Sequence, residues 1–319
     1  MKSDPLAPIL GDSLCMRELR RKLSRFATLD APVLVHGETG VGKELVARGL
    51  HDASARAAAP YVAVNCAAIP RDLVESELFG AVAGAFTGAR ARDGHFTRAH
   101  GGTLFLDEVG ELPPAAQAAL LRVLETGEVQ PLGGDRARRV NVRIVSATHR
   151  SLEAMVEQQA FRLDLFHRLA PLVLEVPPLR ARIGDLGLLT RCFLEGTGLD
   201  PSPAAMRRLR CQPWPGNVRE LRNVLLRARA AHALDEAADF EVLDLDHLGL
   251  PPGRGELDPE DASPPAADHR AVTLDLRPLR EVVAAHTRAV LSACDGNVRA
   301  AARTLRVSPT TLYRHLSHG

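Results

Sequence analysis

Three stretches of this chain carry residue types that could do chemistry together. The first is Gly37-Glu38-Thr39-Gly40-Val41-Gly42-Lys43-Glu44, a G-x-x-x-x-G-K pattern. Glycines at this spacing let backbone N–H groups turn inward on a phosphate, and the lysine ammonium reaches the outer phosphate oxygens. Lys43 is one of three lysines in the chain, with Lys2 and Lys22, so composition does not explain its place at the end of the loop. The hydroxyl residue that usually follows such a lysine is replaced by Glu44, so no side-chain hydroxyl there can ligate Mg²⁺. The second stretch is Asp107-Glu108, two carboxylates closing an apolar run. Beside a phosphate loop, one such acid binds the metal and the other polarises the attacking water, which assigns Asp107 to the metal and Glu108 to the water. The third is the polar end of 142–149, where His149 is a candidate sensor of a γ-phosphate. The expected cofactors are ATP and Mg²⁺.

Each group needs an element to hold it. Residues 33–35 have the β-branched bias of a buried strand, and 44–50 read as the helix behind the glycine loop. Strand, glycine turn and helix form the context that makes the pattern a phosphate cradle, because the helix N-terminus adds the positive end of its dipole. Residues 61–65, 103–108 and 142–149 read as further strands whose polar ends meet at the carboxyl edge of a parallel sheet, and 173–176 closes it. Helices are predicted over 14–27 and 114–126.

Residues 71–79 look helical and run into Gly80-Ala81-Val82-Ala83-Gly84-Ala85-Phe86-Thr87-Gly88-Ala89, followed by Arg90 and Arg92. Too little can be buried there for a packed element, which predicts an exposed loop with Phe86 and Thr87 at its tip. An aromatic on such a loop points to a partner contact. A Gly-bounded hairpin is expected at 127–134. In 161–169, Arg162 and Arg168 fall on the polar side of an apolar helical pattern. Such a pair is either a solvated, ion-paired face or, in a ring ATPase, a means of reaching the neighbour's nucleotide. Residues 179–250 read as a smaller helical domain, with Asn217 suited to cap the helix begun at Trp214-Pro215-Gly216-Asn217. Arg219 faces either solvent or the nucleotide cleft.

Residues 251–270, rich in Pro, Ala, Asp and Glu, read as a linker. Beyond it, 279–294 is amphipathic, Asp295-Gly296 breaks the pattern, and Asn297 caps a second helix to Leu305. Arg306-Val307 turn the chain, and Ser308-Pro309 open a third helix. Leu305, Val307, Leu312 and Leu316 form a seam that leaves Thr310, Thr311, Tyr313, Arg314 and His315 outside. This is a helix-turn-helix pattern, with Ser308, Pro309, Thr310, Thr311, Tyr313 and Arg314 as candidate contacts to double-stranded DNA. From 271 to the end, seven arginines stand against three acidic residues, which fits that partner.

The 319 residues allow two or three domains, here expected at 1–178, 179–250 and 271–319. Five scattered cysteines without a C-x-x-C pair exclude a disulfide framework or zinc site and fit a reducing compartment. No apolar run is long enough to span a membrane and the N-terminus has no leader pattern, so a cytoplasmic protein is expected.

With these residues in hand, the chain resembles the NtrC-like family of bacterial sigma-54-dependent activators. The likeness covers about 8–250 for an AAA+ ATPase and 278–318 for a Fis-type helix-turn-helix. Its most specific carrier is Gly84-Ala85-Phe86-Thr87-Gly88-Ala89, which in that family contacts sigma-54. Gly37 to Glu44, Val64-Asn65-Cys66, 101–111, Pro178-Leu179-Arg180 and 214–221 also match, and the family too has Glu after the lysine. The resemblance implies an α/β fold: an AAA+ P-loop ATPase with a parallel sheet and a small helical lid domain, followed by a small all-α helix-turn-helix domain. It implies that Asn65 holds Glu108 in check until ATP is sensed and that Arg162 and Arg168 act in trans as arginine fingers. It further implies that Arg219 is a second sensor and that the hairpin at 127–134 is a second pore loop.

The activity implied is ATP-driven remodelling of the sigma-54 RNA polymerase closed complex, by a homo-oligomer ranging from a DNA-bound dimer to a hexameric ring. The chain departs from the pattern in three places: Ala81-Val82 in place of His-Glu, His149 in place of the commoner Asn, and Arg306 where a Gly usually turns the chain. With no regulatory domain before the ATPase, control by a separate regulatory protein or by expression level is expected. Two rivals are an AAA+ remodeller of another client and a sigma-70-type DNA-binding regulator with a vestigial ATPase. The loop bearing Phe86 and Thr87 argues against the first, and the intact Asp107, Glu108, Arg162 and Arg168 against the second.

Overall fold

The computed structural model describes residues 5–85, 91–233, 242–243 and 248–250. The chain divides into two compact units, Met1–Glu256 and Leu257–Gly319, and the described residues belong to the first. Phe86, Thr87, Gly88 and Ala89 lie outside the described residues, as do all six candidate DNA contacts, Ser308, Pro309, Thr310, Thr311, Tyr313 and Arg314.

In chain order, α1 (Leu14–Ala27) leads to β1 (Val33–His36), the glycine loop, α2 (Lys43–Asp52) and β2 (Tyr61–Asn65). Next, α3 (Val74–Phe79) reaches β3 (Gly80–Ala81), which pairs antiparallel with β4 (Arg92–Asp93). There follow α4 (His95–Arg98), β5 (Thr103–Asp107), α5 (Pro114–Thr126), and a hairpin of β6 (Glu128–Val129) and β7 (Arg138–Arg139). The core ends with β8 (Arg143–Thr148), α6 (Leu152–Glu157), α7 (Leu163–Leu169) and β9 (Leu172–Glu175). A lid follows, built from α8 (Leu186–Leu194), β10 (Asp200–Pro201), α9 (Pro203–Arg210), α10 (Asn217–His232) and β11 (Val242–Leu243).

The main sheet is parallel throughout, in the order β2-β5-β8-β1-β9. Side chains alternate along each strand, so a sheet covered on both faces must be apolar at successive positions. Leu34, Val64, Leu104, Leu106 and Ile144 enter one core cluster with Leu78, Leu120 and Leu165. Val33, Val35, Phe105, Val145 and Ala147 enter another with Met16, Leu23, Val46 and Leu50. Thus α3, α5 and α7 cover one face while α1 and α2 cover the other. The register sets Asn65 beside Asp107 and His36 beside Thr148. The polar ends of β1, β2, β5 and β8 therefore converge on one edge.

Several elements differ from expectation. The stretch after α3 is not exposed from its start, since Ala81 is buried in the β3–β4 ladder. Val82 N–H donates to Leu132 at 3.0 Å and Leu132 N–H to Gly80 at 2.9 Å, so backbone pairing ties this stretch to the hairpin. That hairpin returns at Arg138–Arg139, beyond the expected 127–134. Arg162 precedes α7 with extended backbone rather than riding on the helix, while Arg168 lies within it. The lid is not wholly helical, because β10 and β11 pair in parallel. Asn217 does not cap α10: its side chain is drawn elsewhere, and Glu220 instead accepts the Gly216 N–H at 2.8 Å.

Candidate functional site

A cleft of about 690 Å³ lies between the sheet edge and the lid. Thr39 to Gly42 of the glycine loop, Lys43, Glu44, Asn65, Asp107, Glu108 and Arg219 line it, whereas Gly37, Glu38 and His149 line a separate cavity. Sequence reasoning left Arg219 open between solvent and cleft; α10 places it in the cleft lining. Arg222, one turn further along α10, lines the cleft as well and was not singled out from the sequence.

Lys43 is 7% exposed. Its Nζ donates to the Gly37 carbonyl at 2.9 Å and the Glu38 carbonyl at 3.3 Å, and lies 3.5 Å from Glu108 Oε1. The loop therefore curls around a buried cation that is aimed at the carboxylates ending β5. Gly40 and Gly42 sit at φ +79° and +104°, where a Cβ is disfavoured, although at Gly42 it would meet only Leu45 Cδ1 at 3.9 Å.

Asp107 and Glu108 are adjacent but differently held. Burial, and then the neighbouring Glu108 charge, push the Asp107 carboxyl above its usual range. Burial works the same way on Glu108. There the His149 hydrogen bond and the Lys43 charge outweigh it, and the carboxyl settles below its usual range. Glu108 Oε2 accepts from His149 Nδ1 at 2.7 Å and from the His149 backbone N–H at 3.3 Å. Its own backbone is left-handed at φ +52°, a conformation that costs a non-glycine residue energy and re-aims its side chain. Asn65 Nδ2 lies 3.4 Å from Asp107 Oδ2, and Asn65 Oδ1 accepts the Ala67 N–H at 2.9 Å. Asn65 is thus gathered to Asp107, whereas Lys43 and His149 engage Glu108.

The remaining site candidates lie apart from this group. Arg162 forms a two-pronged pair with Asp164, at 3.0 and 2.8 Å, and Arg168 lies 3.7 Å from Glu125. Both arginines are about half exposed and neither lines the cleft. Gly84 and Ala85 stand at the start of the glycine-rich loop, where Ala85 lies against Gly133 of the hairpin.

A contact between the lid and the glycine loop escaped the sequence reading. Glu38 is gripped by Arg180, with Nη1 2.7 Å from Oε2, and by Asn217 Nδ2 at 3.1 Å. These bonds, Arg180 first, hold the Glu38 carboxyl down at about 2. The only signal in the sequence was the Pro178-Leu179-Arg180 run at the head of the lid.

Comparison with known proteins places these features in a family. The Sigma-54 interaction domain matches residues 9–175, the AAA+ ATPase lid domain 180–250, and the bacterial regulatory protein, Fis family, 280–317. The chain is 47% identical to the nitric oxide reductase transcription regulator NorR1 of Cupriavidus necator, over 96% of this chain and 62% of that protein. It is 42% identical to the DNA-binding transcriptional regulator NtrC of Azospirillum brasilense, over 99% of this chain and 70% of that one. It spans 50% of the length of a further relative, NorR2 of Cupriavidus necator. The crystal structure of NtrX from Brucella abortus in complex with ATP superposes with a TM-score of 0.69 at 33% identity, over 97% of this chain and 68% of that one. Among the described residues no helix is long and apolar enough to cross a membrane. On these grounds the chain belongs to the sigma-54-dependent activator family, with an AAA+ core, its lid and a Fis-type helix-turn-helix.

Proposed function

We propose that this chain hydrolyses ATP and uses the cycle to remodel sigma-54 RNA polymerase at promoters, from an upstream site bound by its helix-turn-helix. The observation that carries the reading is the convergence of Lys43, Asp107, Glu108, Asn65 and Arg219 on one cleft. Lys43 and the inward N–H groups of the glycine loop hold the phosphates. Glu108, ionised and held by His149, accepts the proton of the attacking water. Arg219 touches the nucleotide from the lid. Arg162 and Arg168 serve the neighbouring protomer in a ring, most simply a hexamer, where they meet charge developing on its γ-phosphate.

Among the described residues no three ligating side chains gather as a metal cage. That fits Mg²⁺, which keeps its waters and takes phosphate oxygens together with one or two carboxylates. Asp107 is the group to hold it, since Glu44 supplies no hydroxyl. When bound, the ion neutralises phosphate charge. Gly84, Ala85, Phe86, Thr87, Gly88 and Ala89 form the contact with sigma-54, and Ser308, Pro309, Thr310, Thr311, Tyr313 and Arg314 the contact with DNA. This reading places the protein in the cytoplasm, with domains at 1–178, 179–250 and 271–319 and a linker at 251–270.

The test is open-complex formation by purified sigma-54 polymerase on a sigma-54 promoter, read by footprinting of melted DNA. Opening that needs both this protein and hydrolysable ATP is the expected result. ATP turnover without opening points to another client, and no turnover at all refutes the reading.

A further inference from the structure

Residues 38, 39, 40 and 41 of the glycine loop are each held by the lid or by the strap that leads into it, the 3-10 segment Leu179–Asp185. Arg180 and Asn217 grip the Glu38 carboxylate. Asn217 Nδ2 also donates to the Thr39 carbonyl at 3.0 Å. The Arg219 backbone N–H donates to the Gly40 carbonyl at 3.2 Å, and Arg182 Nη2 to the Val41 carbonyl at 3.0 Å. Asn217 is fully buried and accepts the Leu179 N–H at 2.8 Å through Oδ1, so it joins the strap, the lid helix and the loop. At Gly40 the approach is so close that a Cβ would sit 2.3 Å from the Gly216 carbonyl oxygen.

A phosphate loop spends its backbone N–H groups on the ligand, and its carbonyls must then find donors elsewhere. Here three successive carbonyls find them on the lid and strap. The Glu38–Arg180 pair is about half exposed on both sides, so its own worth to stability is small. Its significance is geometric, because it completes the ring of contacts around Asn217. Neither Asn217 nor Arg180 lines the cleft.

We propose that Asn217 and Arg180 are positioning residues that fix the glycine loop in its phosphate-binding shape from the lid side. Nucleotide affinity is then set by lid attachment as well as by the loop, and by linkage a bound nucleotide tightens the lid. The proposal rests on reading the cleft as the ATP site.

The test uses the full chain, with Kd measured by titrating a fluorescent ATP analogue in the presence of Mg²⁺, and turnover measured at saturating ATP. Arg180→Ala and Asn217→Ala each raise Kd about five- to tenfold, the coupling expected within one hydrogen-bonded network. Turnover at saturation falls far less than affinity, as for a group that shapes the site without entering the chemistry. Arg180→Lys, which keeps the charge but not the fork, recovers only part of the affinity. Adding Glu38→Gln to Arg180→Ala costs little more, because the pair is already broken. If Asn217→Ala unfolds the lid, Arg180→Ala, at an exposed position, carries the test.

Wild-type Kd in Arg180→Ala, or equal losses in affinity and turnover, overturns the proposal. Amide exchange in the nucleotide-free protein gives a second readout. Faster exchange at Arg219, whose N–H is held by Gly40, supports the clamp in Arg180→Ala, and unchanged exchange overturns it. If the wild type binds no nucleotide, the ATPase reading falls, and exchange at Arg219 alone decides the clamp.

Discussion

His149 Nδ1 lies 2.7 Å from Glu108 Oε2, and the same oxygen takes the His149 backbone N–H at 3.3 Å. Two donors from the end of β8 thus fix one oxygen of a carboxylate at the end of β5, while Lys43 stands 3.5 Å from the other. His149 is linked to Glu108, and through it the residue meant to sense the γ-phosphate sets the aim of the residue meant to activate water. His149→Ala should therefore lower turnover about tenfold or more, by losing orientation of the base, and leave ATP affinity little changed. His149→Asn, which keeps a side-chain donor, should recover part of the rate. Steady-state hydrolysis alongside a binding titration separates the two effects; a loss confined to affinity would contradict the orienting role.

Glu108 itself should be dispensable for binding and required for turnover. In Glu108→Gln the side chain keeps its size and an acceptor for His149 but cannot take a proton. A drop in turnover of at least about a hundredfold is expected, the usual size of a positioned general base. Equilibrium binding of ATP should survive. Turnover within a few-fold of wild type would move the base elsewhere.

Two glycines of the same loop should respond differently to a methyl group. Gly40 and Gly42 both lie at positive φ, so alanine at either costs about 1–3 kcal/mol of backbone strain. At Gly40 the methyl also meets the Gly216 carbonyl 2.3 Å away, whereas beside Gly42 the nearest atom is 3.9 Å off. Gly40→Ala should therefore melt several degrees below Gly42→Ala, at about 2–4 °C per kcal/mol for a body of this size. Thermal melts of the two variants decide it, and equal melting temperatures would mean that the lid gives way at no cost.

The elements were legible where a local rule acts alone. Residues 14–27, 61–65 and 114–126 show a clear helical period or strand pattern, and the structure places α1, β2 and α5 over those same spans. The cleft was legible because Lys43, Asp107 and Glu108 each sit where a predicted strand or loop ends, and parallel strands bring such ends together. Contacts made at long sequence separation were not. Asn217 fits the rule for a helix cap, yet Glu38, Thr39 and Leu179 claim its side chain. Arg182, which no local pattern marks out, is buried against Val41 and Met16. Ala81 reads as part of a floppy run until its pairing with the hairpin is known. Each miss is a case of tertiary partners outbidding a local preference.

Phe86 should separate hydrolysis from its use. It stands in the stretch assigned to sigma-54, well away in sequence from Lys43 and Asp107. Phe86→Ala should keep ATP hydrolysis close to wild type and abolish promoter opening. Parallel phosphate-release and footprinting assays test this. A variant that loses both activities would remove the division of labour between the loop and the cleft.

Arg162 and Arg168 hold acidic residues of their own chain, Asp164 and Glu125, and lie outside the cleft of that chain. An arginine that serves catalysis from such a place must do so across a protomer boundary, which makes a complementation test decisive. Arg162→Ala alone should hydrolyse ATP poorly, because each of its sites has Glu108 but lacks the neighbour's Arg162. Glu108→Gln alone should also be inactive, because each of its sites meets a finger but has no base. In a mixed ring some interfaces join the intact Glu108 of one variant to the intact Arg162 of the other. Mixing the two inactive proteins should therefore restore a measurable part of wild-type turnover, with a maximum near equal proportions. Should mixtures that form stable rings stay inactive at every ratio, Arg162 does not act in trans, and its pair with Asp164 is simply a surface ion pair of little energetic weight.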